Sequence, residues 1–321
     1  MDTKKFVVAG AAIPVLGAAV FGGWKLKEWV AVQDLATAPN TFNDEVARRV
    51  DAKWLTWKQA EEINTGLKTI ESFVRIGDTH IVCVGGKEMK ILSRTGAAPI
   101  SVSLTATAKA VTAVGDKIYA GVRDHVELFD LSGKTTGTWP TFGQGAVITA
   151  ITVAGDNVYV ADAGQRVVYR TDLSGEILQR FGQRDESKHY PGLILPSPHL
   201  DVALHDGLLW INNPGQHELE GFDSSGNMVR HWGAAGMTIE KFAGCCNPTD
   251  FAIFADGRFV TSEKGVPRVK IYSSEGQLQS VVGGPDIFGA DVGGMDLSID
   301  AAGRVWVAEN ARGIIRVFEP K

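Results

Sequence analysis

The chain has 321 residues, 44% of them hydrophobic and 21% charged, a balance that fits a globular protein and excludes a disordered one. A net charge of -5 provides no electrostatic footprint for nucleic acid. Three cysteines, Cys83, Cys245 and Cys246, are too few for a disulfide framework, and 37 glycines point to many tight turns.

The first predicted element is apolar. Residues Phe6 to Gly22 read FVVAGAAIPVLGAAVFG without a charge, preceded by Lys4 and Lys5 and followed by Trp24, Lys25, Lys27 and Trp29. Counted over 6–24, the run just reaches the length that crosses a bilayer, and the two tryptophans suit its interface. A cleaved signal peptide needs a small-residue site directly after the apolar run, yet the nearest Ala-x-Ala is Ala36-Thr37-Ala38. Residues 1–30 are therefore predicted to be an uncleaved membrane anchor in preference to a signal segment. Lys4 and Lys5 on the inner side would place the rest outside the cytoplasm, in the periplasm or on the extracellular side.

Residues 31–62 read as a helical connector. TFNDEVARRVDAKWLTWKQAEEI has cap candidates at Thr41 and Asn43, early acids and no internal Gly or Pro. Val46, Val50, Trp54 and Trp57 recur at three- and four-residue steps, so one stripe should pack on the domain that follows.

From residue 63 to 321 the sequence repeats. One turn signature separates paired apolar runs in FVRIGDTHIVCV, VTAVGDKIYAGV, ITVAGDNVYVAD, VALHDGLLWINN, FAIFADGRFVTS and LSIDAAGRVWVAE. A second recurs at Gly96, Gly133, Gly175, Gly226 and Gly276, as in DLSG and DSSG. Both are hairpin chemistry, so each unit holds four strands. With Ser72, Ala110, Ala150, Asp201, Asp250 and Asp296 as equivalent starts, units recur at about the 40–50-residue period of propeller blades. The prediction is an all-β, six-bladed β-propeller. Its last unit has room for only three strands before the chain stops at VFEPK, so a strand within 56–70 should supply the fourth and close the ring.

Three blade-to-blade loops are long: 183–199, 233–249 and 283–295. They should build up one side of the face that carries each blade's central turn, where function tends to reside. The second loop holds Cys245 and Cys246 in FAGCCNPTD. Adjacent thiols there can close a strained disulfide ring or bind a soft ion such as copper or zinc, with His199 and His217 as candidate co-ligands. Cys83, inside HIVCVGG, is core. Asp201, Asp250 and Asp296 begin innermost strands and face the channel. They can hold a hard cation such as calcium or, the reading favoured here, accept backbone hydrogen bonds from neighbouring blades. Asp162, Glu263 and Glu309 end second strands, with Arg166, Arg268 and Arg312 in the turns that follow.

VYVADAGQRVVYRTDLSG, FVTSEKGVPRVKIYSSEG and VWVAENARGIIRVFEP resemble NHL repeats, and the resemblance covers 66–321, weakest in the first two blades. It implies a propeller scaffold that serves protein binding, RNA binding or lyase chemistry in different members. No aromatic and basic stripe suits RNA here, and no residue set matches the amidating lyases. The leading expectation is a membrane-anchored, extracytoplasmic propeller that binds a protein or a small polar ligand on its loop-rich face. The alternative is a redox or metal-binding protein, or a propeller lyase or hydrolase, centred on Cys245 and Cys246.

Overall fold

A computed structural model describes residues 48–289 and 293–321. The expected anchor at 6–24 lies outside the described residues, as does the connector before residue 48. Among the described residues, no helix is long and apolar enough to cross a membrane.

Six four-stranded antiparallel sheets follow one another along the chain. Blade one runs Ser72–Ile76, His80–Gly85, Glu88–Ser93 and Ile100–Ser103, inner strand first. Blades two to five repeat this order from Ala108–Val114 to Thr135–Thr138, Ile148–Ala154 to Ile177–Phe181, Val202–His205 to Met228–Trp232, and Asp250–Ile253 to Leu278–Gly283. Blade six has Met295–Ile299, Val305–Glu309 and Ile314–Pro320, and its outer strand is Trp57–Asn64. The inner strands neighbour one another in sequence, and blade one's also meets blade six's, so the ring is closed.

The closing strand pairs antiparallel with the last one, from Trp57 opposite Pro320 to Asn64 opposite Ile314. This corrects the expected helical connector over 57–62, which is strand; between residues 49 and 56 the chain holds only a short 3-10 turn at Ala52–Trp54. Lys, Gln, Ala and Glu over 57–62 favour helix, but the unpaired edge of Ile314–Pro320 wins them into a ladder. The expected stripe does pack at two positions: Val50 lies against Gly284, and Trp57 is buried with Val282, Phe288 and Phe318.

The repeated turns follow from their residues. Asp130 Oδ1 accepts from the Ser132 and Lys134 amides at 2.9 and 3.1 Å, and Asp172 and Asp223 repeat the pattern in blades three and four. In blade five, Ser273 Oγ replaces the carboxylate. The glycine that closes each such turn has φ between +79 and +93, where a Cβ is strained. Apolar clusters fill all six seams between blades. The seam between blades six and one contains Ile70, Phe73, Ile81, Cys83, Trp306 and Ile315, each contributing about 1.5–3 kcal/mol for a large side chain. Cys83 is fully buried there, and burial pushes its thiol up to about 12.

Candidate functional site

The inner strands begin at the loop-rich face, so their first residues ring the channel near its mouth. Asp201, Asp250 and Asp296 form a waist there. A cavity of about 50 Å³ lies above it, lined by Glu71, His199, Thr249 and Asn310 among others, and one of about 270 Å³ lies below. Each aspartate reaches to the next blade: Asp201 Oδ2 accepts from Phe251 N–H (3.1 Å), Asp250 Oδ1 from Leu297 N–H (3.0 Å) and Asp296 Oδ2 from Phe73 N–H (2.9 Å). Ser72 Oγ continues the chain of contacts to Val111 N–H at 3.3 Å. The trio thus ties blades four, five, six and one edge to edge.

Burial pushes Asp201 up to about 7. It raises Asp250 well above the usual carboxylate range, helped by the charges of Asp201 and Asp296. Asp296 is raised for the same reasons, burial foremost, and shares a hydrogen bond with Asp250. Burial and mutual repulsion thus favour protonation of these carboxyls, and each of the three spends an oxygen on a backbone N–H of the next blade, the role favoured from the sequence. The stability linked to those protons is complete below the ordinary Asp range and declines as the pH climbs through 7 and beyond. Asp250→Asn keeps an oxygen for Leu297 N–H and turns an amide donor toward Asp296. It is expected to stabilise the protein by on the order of 1 kcal/mol near pH 8 and to give no gain near pH 5. Urea titrations at the two pH values check this.

On the rim above, loop 183–199 brings Ser197 and His199 toward loop 233–249 and the central turn of blade five. Lys264 Nζ donates to Ser197 Oγ at 2.8 Å. Burial, with the charges of Lys264 and Lys109, pushes the His199 imidazole down to about 4, so it is neutral. Cys245 is exposed, Cys246 is 3% exposed, and their sulfurs lie 3.3 Å apart. Burial acts to raise the Cys246 thiol, but hydrogen bonds from Ser197, Cys245 and Lys264 outweigh it and hold the thiol below its usual value. Cys245 is raised by its hydrogen bond to Cys246.

His217 meets the end of the cysteine loop. It is 8% exposed, in a left-handed turn, bonded to the Asn247 backbone and without a partner for Nδ1. The four residues expected to converge as metal ligands are thus on one side of one face but not in one cluster. Among the described residues, no three His, Cys, Asp or Glu side chains are grouped to hold a metal ion.

Sequence reasoning passed over Asn247, which fixes the rim. Its Nδ2 donates to Ala243 O (2.6 Å) and Lys264 O (3.1 Å), and its Oδ1 accepts from Lys264 N–H (2.9 Å). One buried amide so locks the cysteine loop to the lysine turn. The sequence paired Glu263 with Arg268 but missed Lys270, the third member of a clasp beneath the loop. Glu263, Arg268 and Lys270 are fully buried, with Glu263 at 2.6 Å from Arg268 and 3.1 Å from Lys270. Lys270 Nζ donates to Ile239 O and Lys241 O, and Glu263 Oε1 accepts from Ala243 N–H. The acid and base pairs read from the repeats are present at Glu263–Arg268 and Glu309–Arg312, whereas Asp162 accepts from the Val147 and Gln165 amides in place of Arg166. Asn213, which accepts from Ile194 N–H, does the same work in blade four. A further cavity, about 470 Å³, lies on the outer rim between blades three and four, where Arg184 and Lys188 are already paired with Glu186 and Asp185.

Six four-stranded blades around a polar channel define a six-bladed β-propeller. No protein-family model matches the chain, and no curated protein does. Among solved structures it is similar to the WD40 propeller domain of Doa1 (12% identity, TM-score 0.54), covering 83% of this chain and 97% of that one. It is similar to streptogramin B lyase (9%, 0.56), covering 84% of this chain and all of that one. A Bacteroides thetaiotaomicron protein of unknown function is similar too (13%, 0.59), over 83% of this chain and 72% of that one. Identities this low show a shared fold and no more.

Proposed function

We propose that this is an NHL-like propeller tethered to a membrane through residues 6–24, with its propeller outside the cytoplasm, that binds a protein or a small polar ligand on its loop-rich face. One observation carries the binding reading. Consecutive blades four to six build the rim around a mouth where Lys264, Lys109, Glu71, His199 and Asn310 offer both charges and neutral polar groups. Mixed polarity around a concave opening suits a polar ligand or a protein segment better than an apolar one.

A photo-crosslinker at Ile194, 39% exposed on this face, is expected to give one discrete adduct in cells. The same group at Val114, on an inner hairpin turn at the opposite face, should give none, and Lys109→Glu should weaken the Ile194 adduct. Equal capture at both positions would remove the face from consideration. For the tether, the full chain should sediment with membranes and a chain starting at residue 48 should not. Release of both into the soluble fraction would count against an anchor at 6–24.

A further inference from the structure

We infer that Cys245 and Cys246 form a thiol–disulfide exchange site, in which Cys245 takes a disulfide substrate and Cys246 closes the pair into a vicinal disulfide. The inference stands on the thiols and their neighbours, whether or not a partner docks on the same face.

The two sulfurs are unequal in access. Cys245 is exposed and the Cys246 residue is 3% exposed, so an incoming disulfide meets Cys245. The Cys245 thiolate attacks one sulfur of R–S–S–R, that S–S bond breaks, one thiolate leaves, and Cys245 becomes a mixed disulfide. Cys246 stands 3.3 Å away, beside the Lys264 ammonium and the Ser197 hydroxyl, both of which stabilise it as a thiolate. It attacks the Cys245 sulfur, breaks the bond to R and expels the second thiolate. In sum the dithiol loses two electrons and two protons, and the substrate disulfide takes them up as two thiols.

The scaffold serves the second step. Asn247 pins the Cys246 end of the loop to Lys264, so attacker and cation move as one unit. Reversibility follows from covalent geometry. Adjacent α-carbons sit about 3.8 Å apart, short of the 4.4–6.8 Å that ordinary disulfides span, so the closed ring is strained and readily reduced. The third cysteine cannot take part, because Cys83 is fully buried in the seam between blades six and one.

The test uses the full chain in mild detergent, with oxidised glutathione as the probe and peptide mass mapping as the readout. The expected product is a Cys245–Cys246 disulfide with glutathione released and Cys83 free. Lys264→Gln is expected to slow closure about tenfold and to let the Cys245–glutathione adduct accumulate. Cys246→Ser should stop at that adduct. Because Cys246 is buried, Cys245→Ser serves as a second variant at an exposed position, and it should take up no glutathione. A wild-type chain that keeps a stable adduct on Cys245, that leaves both thiols free, or that reacts first at Cys246 would overturn the inference. Repeating the Ile194 crosslink in a chain with both cysteines replaced by serine separates this result from the binding reading.

Discussion

A chain that begins at residue 65 is expected to lose the single cooperative unfolding transition shown by one beginning at residue 48. Without Trp57–Asn64 the last blade keeps three strands, and Ile314–Pro320 presents an unpaired edge. More is lost than a ladder. The Trp57 ring packs among Val282, Phe288, Met295 and Phe318, and its Nε1–H donates to Ser280 Oγ at 3.1 Å. Trp57 therefore joins the outer edge of blade six to blade five as well. Trp57→Ala alone should cost about 3–5 kcal/mol, the range for removing a buried tryptophan. Guanidinium unfolding followed by circular dichroism distinguishes the two: a lower midpoint for the substitution, a broad loss of cooperativity for the truncation. If the shortened chain melts as sharply as the longer one, the closing strand is dispensable.

Glu263→Ala is expected to destabilise the protein by about 3–5 kcal/mol, because it leaves two buried cations facing each other without their anion. The side chains of Glu263, Arg268 and Lys270 are all fully buried. The loss should register first in loop 233–249, whose carbonyls at Ile239 and Lys241 are held by Lys270. Hydrogen exchange in residues 236–244 should rise well before global unfolding. The pH dependence has a definite sign. Burial already pushes Lys270 down to about 8 against the attraction of Glu263, and removing that acid lowers it further. Between the folded value and the ordinary lysine value the unfolded chain binds the extra proton, so stability rises with pH. The variant's deficit should shrink from pH 7 toward pH 9. A deficit independent of pH would mean that the lysine charge is not its source.

How much of this was legible depended on whether the signal was local. The hairpin turns were, since Asp and Gly at fixed offsets impose them whatever surrounds them, and with them came the blade number. The closing strand was legible only from the arithmetic of the final unit; its own residues, Lys58 to Glu62, favour helix. The roles of Asp201, Asp250 and Asp296 could be reasoned from their equivalent places in successive blades. Asn247 and Lys270 were not, because their partners are loop and turn backbone groups, at Ala243, Lys264, Ile239 and Lys241, that meet them only once loop 233–249 has folded back on blade five. One trace existed in hindsight: Arg268 and Lys270 alternate on an otherwise apolar strand, with Arg268 directly opposite Glu263 in register. Two cations on the inward side of a strand call for an anion. The metal set of Cys245, Cys246, His199 and His217 illustrates the reverse limit, since a shared face does not bring side chains into one cluster.

The closing strand has a consequence for engineering. The Lys321 amide donates to Thr56 O at 2.9 Å, so the residue before the closing strand and the last residue of the chain are neighbours. A brief peptide bridge between them would make the propeller a covalent circle. New ends could then be opened at an exposed inner hairpin such as Val114–Gly115, on the opposite face. Such a circular permutant would present the cysteine rim to solution from a fusion partner or a solid support attached at the far side.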